Sequence, residues 1–351
     1  MELNKYYNGA SVLNANCPIN FSSGTRSSGK SFYWKRYCVA RFLEHDEQFI
    51  YIRRTDEDIK NATSSFFDDI SVKFPGKGMS YTSRKFYIGD LVDGELQDAK
   101  VCGYAFPLSS LHKIKSVVLS RVNTILFDEF LPEDNRYLHP ADPAFEPMQL
   151  MSLYMTVARG VGRPIREEVK IICISNMVTK YSPYYTYFGI DLTKKQKGIF
   201  NNVYAECVIN NDTNAAIKDS KFGKILEGTS YGDYALSNDA LFDDEYHIIN
   251  KIPRDARPWL CIRIRDKWYM ALYNPDGLYF DERYDKTLRL QYSFAPSGLD
   301  KEEMTAIPMF CGEVQKICRK YAEQDRVYYR TGRAKQAISG LILPPNLKGV
   351  K

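Results

Sequence analysis

The segment Gly24-Thr25-Arg26-Ser27-Ser28-Gly29-Lys30-Ser31 constrains this chain more than any other. It matches GxxxxGK[ST] in full, a pattern that belongs between a strand and a helix. Its glycines let the backbone wrap so that successive N–H groups point inward. The positive end of the following helix completes that nest for phosphate. In such a loop Lys30 reaches the β and γ phosphates of a nucleotide, and the Ser31 hydroxyl is placed to ligate Mg²⁺. A serine-rich loop that merely caps a helix, with Ser28 as N-cap, would look similar. Context favours the phosphate loop: a short apolar run at 19–21 precedes it, and Trp34, Cys38 and Phe42 follow at one-helix-face spacing within 30–43. The whole run 24–31 is therefore the candidate nucleotide-binding set. Arg26 adds positive charge that faces the γ-phosphate, a neighbouring subunit or solvent.

A second landmark lies about one hundred residues later. Residues 123–129 (NTILFDE) form an apolar strand ending in two carboxylates, the Walker B pattern. A hydrophobic strand beside the phosphate loop would deliver Asp128 to the Mg²⁺ shell and leave Glu129 to polarise a water in line with the γ-phosphate. Paired acids also serve as helix N-caps, but not in this company. The second acid separates a hydrolysing ATPase from a GTPase-like switch. Residues 171–175 read as a strand ending in Ser175-Asn176, where Asn176 suits a γ-phosphate sensor or simply starts a loop. Arg159 ends a helix ahead of Gly160, with Arg163 and Arg166 close behind. Such an arginine either reaches a neighbour's γ-phosphate across a subunit boundary or caps its own helix.

Strand-like runs alternate with helical patterns through the first two hundred residues, which argues for an α/β domain with a mostly parallel sheet. Residues 49–54 read as a strand. Residues 56–74 read as a helix with Ile59, Phe66, Ile70 and Phe74 buried, ended by Pro75-Gly76. Strands follow near 80–88 and 100–106, parted by Asp93-Gly94. Those at 122–127 and 169–175 enclose a proline-rich loop and a helix near 147–159. Past 211 the chain turns polar and glycine-punctuated, as a partly helical linker over 212–244 would. After 245 the strands 259–264 and 268–273 flank the turn Arg265-Asp266-Lys267, and 274–277 turns the chain into 278–280. A helix near 311–323 makes this second domain, 245–351, mixed α+β, against a first domain at 1–211.

The net charge of the 351 residues is +5, and it is unevenly spread. Residues 1–244 carry 29 Lys+Arg against 30 Asp+Glu; residues 245–351 carry 19 against 13. The basic C-terminal region, with Tyr328 and Tyr329 among its cations, either faces nucleic acid phosphates or is a solvated helix face with a tail. No apolar run is long enough to span a membrane, and the N-terminus lacks the order of a signal peptide. The eight cysteines are scattered without CxxC or Cys/His clusters, which speaks against zinc and disulfides and for a reducing cytoplasm.

Several segments together resemble the φ29-type phage DNA-packaging ATPases, the DNA encapsidation proteins. They are EQFIYIRR (47–54), KFYI (85–88), FPLS (106–109), NTILFDEF (123–130), MTVAR (155–159), CISN (173–176) and FGKILEGTSYGDYAL (222–236), within about 1–240. The resemblance implies a P-loop (ASCE-type) ATPase domain using ATP and Mg²⁺. Lys30 and Ser31 would then hold phosphate and metal, Asp128 the metal, and Glu129 the attacking water. Arg159 would be the finger acting in trans, Asn176 the sensor and Arg26 a basic position in the loop. Lys115 resembles a family lysine near the subunit interface or DNA. Where the family has a lysine shortly after the Arg-Arg pair, this chain has Thr55-Asp56. The family implies a homomeric ring, a pentamer, working in the host cytoplasm. It docks transiently on the portal (connector) of an empty prohead and pulls double-stranded DNA inward, and in some members a packaging RNA forms a docking ring. The C-terminal domain would resemble a ribonuclease-H-like nuclease that has lost its metal-binding acids, since 260–264 shows Cys261 and Arg263 where an active nuclease wants aspartate. Two alternatives stand beside this: a full terminase that also cuts DNA, through Asp266, Asp276, Asp281 and Glu282, and a nucleotide-regulated docking protein without turnover.

Overall fold

The computed structural model describes residues 6–114, 119–132, 137–138, 145–159, 165–180, 182–192, 195–226, 229, 247–264, 267–293 and 313–342. Contacts divide the chain into two compact units. One comprises 1–138, 146–180 and 188–241; the other comprises 139–145, 181–187 and 242–351.

In the first unit the elements run α1 (Ala10–Ala15), β1 (Ile19–Gly24), α2 (Lys30–His45), β2 (Gln48–Arg53), α3 (Asp56–Ser64), β3 (Lys77–Thr82), β4 (Lys85–Val92), β5 (Glu95–Pro107) and β6 (Val122–Asp128). They continue with α4 (Phe145–Ala158), β7 (Lys170–Ile174), β8 (Lys197–Phe200), β9 (Val203–Val208), α6 (Asn211–Lys218) and α7 (Lys221–Leu226), while α5 (Pro183–Phe188), between β7 and β8 in the chain, falls almost wholly in the second unit. The nine strands form one sheet in the order β3-β4-β5-β2-β6-β7-β1-β9-β8. From β5 to β9 every neighbouring pair is parallel. Buried on both faces, β2, β6 and β7 carry largely apolar runs instead of alternation, while β1 is equally buried but includes Asn20, Ser22 and Ser23.

The mostly parallel α/β sheet expected from the sequence is present, with four differences in detail. First, β6 is not next to β1, because β7 lies between them. Second, the helix expected over 56–74 stops at Ser64. A capping box starts it, Thr55 with Asp58, but Thr63 and Ser64 turn their hydroxyls onto the carbonyls of Ile59 and Asn61. Such side-chain bonds compete with the helix ladder. Phe66 and Ile70 are nonetheless fully buried, in irregular turns. Third, the run at 80–88 is two strands: Ser83 and Arg84, both at positive φ, make a two-residue hairpin between β3 and β4. Asp93-Gly94 does the same between β4 and β5. Fourth, β8 and β9 join through Asn201-Asn202, also at positive φ, and β9 pairs along the whole of β1. Helices α6 and α7 fall within this unit.

In the second unit β10 (Arg257–Ile264), β11 (Lys267–Asn274) and β12 (Gly277–Asp281) form an antiparallel meander, as the alternating runs suggest. The residues Arg265 and Asp266 of its first turn lie outside the described residues. Two further strands extend the sheet in parallel: β13 (Leu290–Ser293) beside β10, and β14 (Val327–Tyr329) beside β12. Helices α8 (Gln315–Glu323) and α9 (Gly332–Ile342) pack through Cys318, Ala334, Ala337 and Ile338 onto the face bearing Leu260, Ile262 and Phe280.

The first unit's core contains a ring cluster. Phe66 stacks on Phe49 with centroids 5.6 Å apart, lies 4.4 Å from Phe86 and meets Tyr51 edge-on at 5.0 Å. Truncation leaves a cavity walled by rigid strands. Phe66→Ala should therefore cost about 3–5 kcal/mol in chemical denaturation. A loss below about 1 kcal/mol would mean that the segment 65–70 does not belong to this core.

Candidate functional site

At the end of β1 the chain makes a turn that only glycine fits. Gly24 has φ +154°, and a Cβ there would stand 2.0 Å from the Val208 carbonyl oxygen of β9. Thr25 donates its N–H to that same oxygen at 3.0 Å, while Met177 donates to the Gly24 carbonyl at 2.9 Å. The loop then passes through Ser27 at φ +59° and reaches Gly29, at φ +91°, the N-cap of α2. Successive residues of opposite backbone hand turn N–H groups to one side, which is the anion-binding geometry.

Lys30 is almost fully buried, and its ammonium folds over the loop, donating to the Thr25 carbonyl at 2.7 Å and to Ser28 Oγ at 2.9 Å. Burial pushes it down to about 8, against the opposing influence of Cys207, Asp128 and Glu206. Ser31 Oγ donates to Asp128 Oδ1 at 3.2 Å, so the loop and the end of β6 meet although β7 separates their strands. The other Asp128 oxygen accepts from Tyr51 at 2.9 Å, and burial together with Asp128 holds that phenol far above its usual range.

Arg53, at the end of β2, spans both acids. Its guanidinium lies 3.4 Å from Asp128 Oδ2 and 2.8 Å from Glu129 Oε2. Glu129 leaves the strand at φ +60°, with its N–H on the Ile174 carbonyl at 2.7 Å and its side chain largely exposed. The neighbouring Arg54 points the other way. It pairs with buried Glu146 at 3.0 Å and donates to the carbonyls of Glu129 at 3.2 Å and Phe130 at 2.7 Å. One arginine thus fixes the backbone at the acid pair and the other fixes its carboxylates.

A cavity of about 250 Å³ is lined by residues 27–32, Asp128, Glu129, Ser175 and Asn176. Every residue singled out at the phosphate loop's second half, the acid pair and the sensor position therefore shares one space. Ser175 Oγ is buried there without a hydrogen-bond partner among the described residues, as expected of a group that meets a ligand. One hydroxyl and one carboxylate suit Mg²⁺, which takes few protein ligands and completes its octahedron with phosphate oxygens and water.

Arg26 is exposed, and Arg159 is exposed just past α4, outside the cavity lining. The end of α4 is capped by another residue. Arg166 donates its N–H to the Ala158 carbonyl at 2.6 Å and its guanidinium to Val157 at 3.3 Å, and it bonds Asn123 Oδ1 as well. Lys115 and Arg163 lie outside the described residues. The sequence did not single out Tyr51, Arg53 or Glu206. A basic pair at the end of an apolar strand was the only available signal for Arg53, and nothing local marks Glu206.

A parallel sheet with a phosphate-loop turn and a Walker B strand one place removed defines a P-loop ATPase type of fold and site. The chain belongs to the podovirus DNA encapsidation protein (Gp16) family, whose model matches residues 1–316. It is 29% identical over 309 residues to the DNA packaging protein of Bacillus phage phi29, with 87% of each chain covered. It is 34% identical over 233 residues to that of Bacillus phage B103, covering 66% of each. Among solved structures it is similar to the bacteriophage Phi-29 viral genome packaging motor assembly, with TM-score 0.64 and 26% identity over 94% of this chain and 96% of that one. The Phi-28 gp11 DNA packaging motor shares the fold, with TM-score 0.68 at 16% identity over 97% and 99%.

The buried Arg54–Glu146 pair generates a prediction. Arg54→Met leaves a carboxylate without its cation and two carbonyls without their donor. Denaturation should show a loss of about 3–5 kcal/mol. A change below about 1 kcal/mol would mean that the acid pair's backbone is held by other contacts.

Proposed function

We propose that this chain is the ATP-hydrolysing subunit of a ring motor that drives double-stranded viral DNA into a preformed prohead. The observation that carries the proposal is the contact between Ser31 and Asp128 in a cavity that Glu129 and Asn176 also line. Within it the backbone from Gly24 to Ser31 cradles the phosphates, and Lys30 exchanges its loop contacts for the β and γ phosphates. Ser31 and Asp128 hold Mg²⁺, which neutralises charge on those phosphates. Glu129 orients and polarises the attacking water, and Asn176 reads the γ-phosphate. Arg53 sets where Glu129 points: while the ion pair lasts, the carboxylate is directed at a cation rather than at water.

Arg159 is assigned to the neighbouring subunit's site, where it stabilises charge developing on the γ-phosphate. Its exposure, and the capping of α4 by Arg166, support this over the capping role. The ring is homomeric and pentameric, docks on the portal in the host cytoplasm, and accommodates a packaging RNA where one is used. Lys115 contacts DNA or the next subunit. Residues 1–211 act as the motor domain, 212–244 as the connection and 245–351 as a nucleic-acid-binding domain derived from a ribonuclease-H-like nuclease. The strand order β12-β11-β10-β13, with β13 parallel to β10, supports that descent. Of the acids an active terminase nuclease would need, Asp281 pairs with Arg283 and Glu282 accepts from Thr331, contacts that favour binding over cutting.

Two outcomes test this reading. Glu129→Gln should keep Mg-ATP affinity within about twofold while turnover falls by at least about a hundredfold. Parallel loss of both would remove Glu129 from the chemistry. Mixing Arg159→Ala with Glu129→Gln chains should restore measurable hydrolysis, because some interfaces then pair an intact Glu129 with an intact Arg159. Mixed rings that form without any recovery would rule out action in trans.

A further inference from the structure

The residues just before α1 lie against the phosphate loop. Tyr7 donates its N–H to the Ser28 carbonyl at 2.9 Å. Its ring is buried, meeting Tyr33 edge-on at 5.5 Å, and its hydroxyl accepts from Trp34 Nε1 at 3.2 Å and donates to Glu206 Oε1 at 3.0 Å. Glu206 is itself buried on β9, where it also accepts from Ser22 at 2.8 Å and Tyr204 at 2.9 Å. One carboxylate therefore ties together β1, β9 and the segment before α1, and the Tyr7 hydroxyl links that segment to α2.

This anchor fixes the position of the preceding residue. The Tyr6 ring stands with Cδ1 3.5 Å from where a Cβ on Gly29 would be, and Gly29 is part of the cavity lining. Yet Tyr6 is 48% exposed, and its ring stacks on no other aromatic among the described residues. The protein holds a large flat apolar surface half in water, one residue from a buried anchor. A nucleotide with its phosphates on Gly29, Lys30 and Ser31 would have this ring within reach of its remainder, because Tyr6 lies against Gly29.

We propose that Tyr6 is the platform on which the nucleobase of the bound nucleotide stacks, presented by the Tyr7–Glu206 anchor. The proposal rests on the nucleotide-site reading above and adds a base subsite to it. A π-face on a pre-positioned ring binds a base without ordering a mobile side chain, and such stacking is worth about tenfold or more in affinity.

The test uses the full chain and two ligands, Mg-ATP and inorganic tripolyphosphate, which has phosphates and no base. Tyr6→Ala should weaken ATP about tenfold and leave tripolyphosphate unchanged, while Tyr6→Phe keeps ATP affinity within about twofold. Equal weakening of both ligands would reduce Tyr6 to a support of the loop and overturn the proposal, as would unchanged ATP binding. Lys30→Ala separates this failure from that of the site itself: it should weaken both ligands, and if it weakens neither, the phosphate-loop reading falls.

Discussion

Asp128 and Glu129 follow one another at the end of a buried strand, and the Arg53 guanidinium bridges their carboxylates. Asp128 is buried and Glu129 largely exposed, and the cation between them offsets the repulsion of their like charges. Burial works against the charge of Arg53, but Tyr51, Asp128 and Glu129 hold it well above its ordinary range, so its proton stays in place. With Asp128 satisfied by Ser31, Tyr51 and Arg53, the strand end is rigid before any nucleotide arrives. Glu129, by contrast, is mostly exposed, with its carboxylate paired to Arg53. In the proposed mechanism the buried acid would hold the metal and the exposed acid would face the attacking water.

The sheet order explains how residues about one hundred positions apart meet at hydrogen-bonding distance. Parallel strands all point their C-terminal ends the same way, so the ends of β1, β6 and β7 bring the phosphate loop, the acid pair and Asn176 to one edge. Placing β7 between β1 and β6 leaves a gap over its end, and the cavity lies there, with Ser175 and Asn176 forming part of its lining.

Much of this was legible in the sequence, because motif chemistry and buried parallel strands are local signals. The loop 24–31, the acid pair and Asn176 were readable from residue type and spacing, and the structure gathers the loop's second half with the others in one cavity. What was hidden depends on partners distant in sequence. Glu206 interrupts the apolar run of β9, and its acceptability rests on hydroxyls from Tyr7, Ser22 and Tyr204. Arg53 and Arg54 look equivalent as a dipeptide, but alternation along β2 sends them to opposite tasks. The end of α3 was overrun because Phe66 and Ile70 continue the helical spacing although the backbone has already left the helix.

The central claim is that hydrolysis at this site moves DNA. The direct measurement is nuclease protection of double-stranded DNA offered to empty, portal-bearing proheads with the purified chain and Mg-ATP. The account predicts that full-length DNA becomes protected only while ATP is hydrolysed, with none protected when a non-hydrolysable analogue replaces it. Equal protection with the analogue, or brisk hydrolysis in complete reactions with no DNA protected, would contradict it.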